Sequence, residues 1–180
     1  MIGDIISLTS ILVIIDMQND FITGSLGTEN AISVLPKVIN KAKSYDYGNI
    51  YVTMDTHNSD YLNTLEGKKL PILHCIKGTD GWNIPTELYN YVHNSNIIEK
   101  SSFASFNLAE KLFLRSQVES IEIELTGVCT DICVISNALL LRSKMPNVKI
   151  SVDPSCCAGT SVNAHNYAIE IMKMCQIDIL

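Results

Sequence analysis

The sequence predicts an α/β protein: a three-layer α/β/α arrangement around an open parallel sheet of about six strands. Three observations predict it. Short β-branched, apolar runs alternate with segments whose apolar residues recur at helical spacing. The connectors are short, which implies right-handed crossovers with helices on both faces of the sheet. The chain has 180 residues, 47% of them hydrophobic, enough for one well-packed domain over residues 1–180 and hardly for two.

The elements follow in order. Residues 11–15, Ile-Leu-Val-Ile-Ile, form a continuous apolar run, as expected of a strand covered on both faces. Ala31, Val34, Leu35, Val38, Ile39 and Ala42 follow at helical spacing. Ser33 is the expected cap, which puts Pro36 in the first turn, and Gly48 closes the helix. Residues 50–54 read as the second strand and 96–98 as a short third, followed by a helix over about 107–114. The fourth strand is expected at 121–125, a helix at 132–141, the fifth strand at 148–152, a helix at 162–174 and a sixth strand at 177–180. The longest irregular stretch is 56–82, and a loop that long inside a compact domain is usually functional. Glu122 and Glu124 interrupt the fourth strand. Either one face of it is less covered, or these carboxylates have partners.

The formal net charge is −6 with no cluster of Lys and Arg, which argues against nucleic acid and anionic membrane as partners. Charged residues make up 18% of the chain, a composition of folded rather than disordered protein. Residues 11–15 are too few to span a bilayer. Residues 1–9 carry no basic region, so no signal peptide is expected. The cysteines at 75, 129, 133, 156, 157 and 175 then read as free thiols in a reducing, cytoplasmic compartment. Cys156 and Cys157 fit small core positions.

The chemistry gathers where strands end. Gly127-Val128-Cys129-Thr130-Asp131-Ile132-Cys133-Val134 follows the fourth strand. The strand ends, the backbone turns at Gly127, and a helix begins near Thr130. Cys133 lies in its first turn, where unpaired N–H groups and the positive dipole end favour a thiolate. A thiol so placed is a candidate nucleophile. Asp16, Asp55 and Lys100 end the first three strands, and ligands of open parallel sheets bind beyond the carboxyl ends of the strands. Singly, each residue has a plainer reading. Asp16 with Gln18, Asn19 and Asp20 suits an Asx turn, Lys100 a solvated strand end, and Cys133 a buried helix thiol. Together at one edge they point to catalysis.

The long loop adds a second set. Asp55 and His57 are two residues apart, and Glu66 and His74 follow. Two imidazoles with one or two carboxylates suit a borderline divalent ion that keeps positions for water or a ligand. The plainer alternative is a surface pair. His93 and His165 read as ordinary surface or helix residues. Trp82 has no assigned place, and Phe106 fits core or pocket.

Three motifs carry a resemblance: Asp16-Met17-Gln18-Asn19-Asp20-Phe21, Lys100-Ser101-Ser102-Phe103-Ala104-Ser105-Phe106, and the segment from Gly127 to Val134. They resemble the three signatures of the isochorismatase-like cysteine hydrolases, in the family's order, over a chain similar from about Ile11 to its end. Within the family the chain is most similar to the nicotinamidases. The resemblance implies a triad of Asp16, Lys100 and Cys133. Asp16 takes the thiol proton, Cys133 attacks an amide carbonyl, and Lys100 fixes Asp16. It implies a cis peptide at Val128–Cys129, with backbone N–H groups near Cys129 and Cys133 holding the oxyanion. It also implies one divalent metal ion, zinc first with manganese or iron as alternatives, on Asp55, His57, Glu66 and His74. That ion would hold a pyridine nitrogen. The segment from His74 to Gly81 is similar to the family's as well. Phe21 and Phe103 take the positions of the aromatic walls. Many nicotinamidases have Trp or Phe shortly before the second metal His, and this chain has Leu70-Pro71-Ile72-Leu73.

The implied activity is hydrolysis of nicotinamide to nicotinate and ammonia through a Cys thioester, in NAD salvage. Three alternatives stand beside it. The same triad serves another small amide or carbamoyl compound. Vinyl-ether cleavage of the isochorismatase type needs neither thiol nor metal. A non-catalytic module could sense metal or oxidant through Cys129 and Cys133. A small-molecule amide is the expected partner, and the family resemblance implies a homo-oligomer.

Overall fold

The computed structural model describes residues 7–180. The expectation of no leader segment concerns residues 1–9, of which 1–6 lie outside the described residues. Six strands form one sheet: β1 (Thr9–Ile15), β2 (Ile50–Asp55), β3 (Ile97–Lys100), β4 (Ile121–Val128), β5 (Lys149–Ala158) and β6 (Asp178–Ile179). All pair in parallel, in the order β3-β2-β1-β4-β5-β6. The helices are α1 (Asn19–Ile22), α2 (Glu29–Ala42), α3 (Leu65–Lys69), α4 (Thr86–Tyr89), α5 (Phe106–Ser116), α6 (Ile135–Lys144) and α7 (Val162–Met174).

The apolar run of β1 does what its composition requires. Successive side chains of a strand point to opposite faces. Ile11, Val13 and Ile15 therefore join one core with Leu108 and Leu112 of α5, Leu141 of α6 and Met172 of α7. Leu12 and Ile14 join another core, with Val34 and Val38 of α2 and Leu88 of α4. Each such fully buried side chain contributes about 1.5–3 kcal/mol. Two cores on one sheet make the three expected layers.

Glu122 and Glu124 have partners. Ser10 Oγ donates to Glu122 at 2.6 Å, and Lys149 Nζ lies 3.1 Å from it. Glu124 meets Lys41 of α2 and accepts from the Tyr45 hydroxyl at 2.7 Å. Lys41 also pairs with Asp153 of β5 at 2.6 Å. Glu124 and Asp153 thus share the one cation that α2 lowers onto the sheet, while Glu122 is met by Ser10 and Lys149 from the neighbouring strands.

Several boundaries differ from the expectation. The first long helix starts earlier, at Glu29, and its cap is Thr28, whose side chain accepts from Ala31 N–H. Ser33 lies inside the helix and donates to Asn30 O at 2.8 Å. Pro36 is therefore interior rather than in the first turn. The helix ends at Ala42, and Gly48 belongs to a separate 3₁₀ turn, Tyr47–Asn49. β4 and β5 each run beyond the expected end, because a register shift between Leu125 and Gly127 breaks the apolar pattern while pairing resumes at Gly127 with Cys157. Within 56–82 the chain forms a 3₁₀ turn, Tyr61–Asn63, and the short α3.

The cap assignment is directly testable. Thr28→Ala should lower stability by about 1 kcal/mol in denaturant unfolding, while Ser33→Ala should change it by less than about 0.5 kcal/mol. An equal loss in both variants would contradict the assignment.

Candidate active site

The strand order reverses direction between β1 and β4, and a crevice opens beyond their carboxyl ends. Asp16 follows β1 in a left-handed conformation, φ 48°, which a non-glycine residue holds only when its surroundings impose it. Those surroundings come from β2. Asp16 N–H donates to Thr53 O at 3.2 Å, and the Thr53 hydroxyl donates to Asp16 Oδ1 at 2.6 Å. On the other side of the crevice, Gly127 has φ 116°. A Cβ there would run into the backbone of Ile15. Glycine thus lets β4 approach β1 closely at the point where the turn to Cys133 begins. The peptide Val128–Cys129 is cis. A π-helical turn, Thr130–Val134, then leads into α6 and carries Cys133. Among the described residues the Cys129 N–H finds no acceptor.

Asp16, Lys100 and Cys133 meet in this crevice, all three buried. Lys100 Nζ lies 2.7 Å from Asp16 Oδ2, 3.6 Å from Cys133 Sγ and 3.5 Å from Asp55 Oδ1. Burial is the largest influence on Asp16 and raises its pKa, and the Lys100 charge only partly opposes it. For Lys100 the balance reverses. Burial works against its charge, but Asp16, Cys133 and Asp55 together hold it protonated. The Cys133 thiol is pushed well up by burial, with the Asp16 charge adding to the effect and Lys100 opposing it. The expected thiolate at a helix N-terminus is therefore corrected. Cys133 is only 6% exposed, and loss of hydration outweighs the dipole and the nearby ammonium, so the free thiol is neutral.

Beside Lys100 lies the second set. Asp55 Oδ2 is 3.0 Å from His57 Nε2 and 3.6 Å from His74 Nε2. Glu66 Oε1, from α3, is 3.9 and 4.0 Å from the same two nitrogens. One ligand atom from each of the four residues lies within 4.8 Å of every other. Bonds of about 2.0–2.2 Å to a first-row ion would set ligands roughly 3–3.5 Å apart, so a small contraction suffices and the donor set fits. His74 Nδ1 faces Ile72 O at 2.8 Å. That contact turns Nε2 toward the cluster, the usual second partner of a metal-binding imidazole. Burial acts to raise the Asp55 pKa, but His57, His74 and Lys100 outweigh it and keep the carboxylate ionised.

A cleft of about 730 Å³ joins the two sets. Phe21, Phe103, Asp55, Glu66, His74 and Cys133 line it. The Phe21 ring lies 5.6 Å from the His74 ring. Phe106 is neither core nor pocket: it is the first residue of α5 and 73% exposed. Trp82 takes a structural place, its indole N–H donating to Thr56 Oγ1 at 2.9 Å. His165 is more than a surface residue, because its Nδ1 meets Thr130 Oγ1 at 2.8 Å and so touches the turn that carries Cys133.

Three side chains have supporting roles that the sequence reading did not assign. Thr53 holds Asp16. Gln18 is fully buried and bridges three backbone groups, accepting from Asp55 N–H and donating to Asp55 O and Trp82 O. Asn137 of α6 accepts from Ser105 N–H and donates to Phe103 O and Cys133 O. A signal existed for two of them. Thr53 interrupts an apolar strand, and Asn137 sits four residues after Cys133, on the same helical face.

The family described as the isochorismatase domain matches residues 10–179. An uncharacterised isochorismatase family protein of Bacillus subtilis (strain 168) is 29% identical over 170 residues, covering 88% of this chain and 91% of that protein. A nicotinamidase of Schizosaccharomyces pombe is 26% identical over 206 residues, covering 94% of this chain and 91% of its own. Among solved structures, the pyrazinamidase of Pyrococcus horikoshii in complex with zinc superposes with a TM-score of 0.73 at 24% identity, covering 95% of this chain and 98% of that one. The chain belongs to the isochorismatase family and is a hydrolase of nicotinamidase-like kind.

The buried cation sets a stability prediction. Lys100→Ala should cost about 3–5 kcal/mol in the metal-free protein, because Asp16 and Asp55 are left without it. Asp16 already has a raised pKa in the folded state, and losing Lys100 raises it further. A raised folded-state pKa favours the fold at low pH and withdraws that support as pH rises. The gap between wild type and variant should therefore be smaller at pH 5 than at pH 8 in urea titrations. A gap independent of pH would contradict this placement of charge.

Proposed function

We propose that this member of the isochorismatase family is a nicotinamidase, a hydrolase of an amide C–N bond that converts nicotinamide to nicotinate and ammonia. The observation that carries the reading is the joint opening of one cleft onto the Cys133 thiol and onto Asp55, Glu66 and His74 of the four-residue donor set. A pyridine carboxamide presents one group to each: an amide carbon for the sulfur and a ring nitrogen for a metal ion. The similarity to the Schizosaccharomyces pombe nicotinamidase supports the substrate class.

The residues divide the work as follows. Asp16 takes the Cys133 proton as sulfur bonds to the amide carbon. Burial raises the pKa of Asp16, which makes its carboxylate a stronger base toward the thiol proton. Lys100 stays cationic beside both groups, balancing the Asp16 carboxylate before the transfer and any charge that develops on sulfur during it. The carbonyl oxygen becomes an oxyanion, and the free Cys129 N–H, with that of Cys133, is positioned to hold it. Asp16 returns the proton to nitrogen, the C–N bond breaks, and ammonia leaves a thioester on Cys133. Water attacks the thioester while Asp16 takes its proton. The C–S bond then breaks, and the proton returns to sulfur.

Asp55, His57, Glu66 and His74 would hold one divalent ion, zinc before manganese or iron, given two imidazoles and two carboxylates. When bound, it supplies a Lewis-acidic position for the ring nitrogen. Phe21 and Phe103 flank the ring. The pyrazinamidase with zinc among the structural neighbours is in line with this ion. The unpaired state of all six cysteines supports a reducing, cytoplasmic setting, where the reaction would serve NAD salvage. No helix among the described residues is long and apolar enough to cross a membrane. We take residues 1–180 as one domain, since the family match spans nearly all of it. A homo-oligomer rests on the family resemblance alone.

A second reading has one observation behind it. Leu26, Leu65 and Leu70 also line the cleft, and the Leu70-Pro71-Ile72-Leu73 segment brings no aromatic residue. These walls suit a bulkier apolar amide handled by the same triad.

Four measurements decide. Cys133→Ala should lower ammonia release from nicotinamide by at least about 10³-fold, and wild-type enzyme quenched during turnover should carry a nicotinoyl adduct on Cys133 by mass spectrometry. Persistent turnover in Cys133→Ala ends the thioester mechanism. Benzamide, which lacks the ring nitrogen, should fall by at least about 10²-fold in kcat/KM, and chelation followed by zinc add-back should switch nicotinamide hydrolysis off and on. Benzamide turned over as well as nicotinamide would favour the second reading.

A further inference from the structure

We propose that Asp20 is a positioning residue for the metal-binding imidazole of His74, acting through the backbone of Cys75. The inference rests on the metal site of the proposed function and extends it to a carboxylate that touches neither the ion nor the substrate. Asp20 Oδ2 accepts the Cys75 N–H at 2.7 Å, and Oδ1 accepts the Ser25 N–H at 3.2 Å. Its own N–H donates to Gly81 O at 2.9 Å. Asp20 thus ties the short helix α1 to both ends of the segment 75–81.

The conformation of Cys75 gives this contact its meaning. Cys75 is fully buried and left-handed, with φ 46°, a state that a non-glycine residue holds only when its surroundings impose it. A charged acceptor on its N–H is such a constraint, because hydrogen bonds from N–H to carboxylate are among the strong ones. The peptide so fixed is the one that follows His74. Its orientation, with the Ile72 O contact on Nδ1, aims Nε2 at Asp55 and Glu66. The carboxylate itself is seated by Gly81, where any Cβ would collide with it. Next to it, Asn19 reinforces the same seam: its N–H donates to Asn83 O at 2.8 Å and its side chain to Asp80 O at 2.9 Å.

Zinc affinity of the metal-stripped protein, measured by competition with a chromophoric chelator, tests the proposal. Asp20→Ala should weaken zinc binding by about 10- to 100-fold, as loss of a partner that orients a ligand does elsewhere. Asp20→Asn keeps the shape but offers one acceptor oxygen for two N–H groups, and should fall between Asp20→Ala and wild type. Raising zinc should restore nicotinamide turnover in both variants. A merely structural role would lower the thermal midpoint and leave zinc affinity of the folded protein within about twofold, and that result overturns the proposal. If Asp20→Ala does not fold, Asp20→Asn decides by the same criterion. Wild type that binds zinc without hydrolysing nicotinamide would end the proposed function and leave this inference standing. Wild type that binds no zinc would end the metal site and this inference together.

Discussion

The site depends on one buried ammonium. Lys100 Nζ has Asp16, Cys133 and Asp55 within 3.6 Å, at a buried place where an unpaired charge is costly. Its cation balances the carboxylate of Asp16 and leans on Asp55. In the proposed chemistry the same cation would offset the charge that develops on sulfur as the proton moves to oxygen. The neutral thiol of Cys133 follows from this arrangement. Burial raises the pKa of Asp16 and of Cys133 alike, and the one cation between them faces the carboxylate while the thiol keeps its proton.

The sheet explains why these groups can meet. Parallel pairing aligns every strand's carboxyl end on one edge, and the reversal of order at β1 and β4 opens that edge. Asp16, Asp55 and Lys100 need only be the last residues of their strands, or just past them, to face one another. Cys133 needs more. Its strand must approach β1 closely enough to bring the turn into the crevice, which the bare backbone of Gly127 permits.

The long segment after β2 is the less regular half of the site, yet it is tightly fixed. Gln18 bonds to the backbone of Asp55 and Trp82, Asp20 to that of Cys75 and Gly81, and Asn19 to that of Asp80 and Asn83. Three consecutive residues of one motif hold the donor loop against the sheet. The first residue of that motif, Asp16, shares Lys100 with Cys133, so one short turn serves both halves of the cleft.

By itself the sequence determined the layers and the cast. The unbroken apolar run at 11–15 required cover on both faces, because each face of the strand carries only hydrocarbon. Charged and sulfur-bearing residues at the ends of apolar runs marked one sheet edge. The tertiary structure decided what depends on distant neighbours. It paired Glu122 and Glu124 with Ser10, Lys41 and Tyr45, and it extended β4 and β5 past a register shift that spoils the alternation. It chose Thr28 over Ser33 as a cap, since either hydroxyl suits the local pattern and only the path of the chain selects one. It set the ionisation of Cys133, where local position favours a thiolate and burial among packed elements reverses that preference. Local periodicity is written along the chain, whereas desolvation and charge pairing belong to the assembled fold.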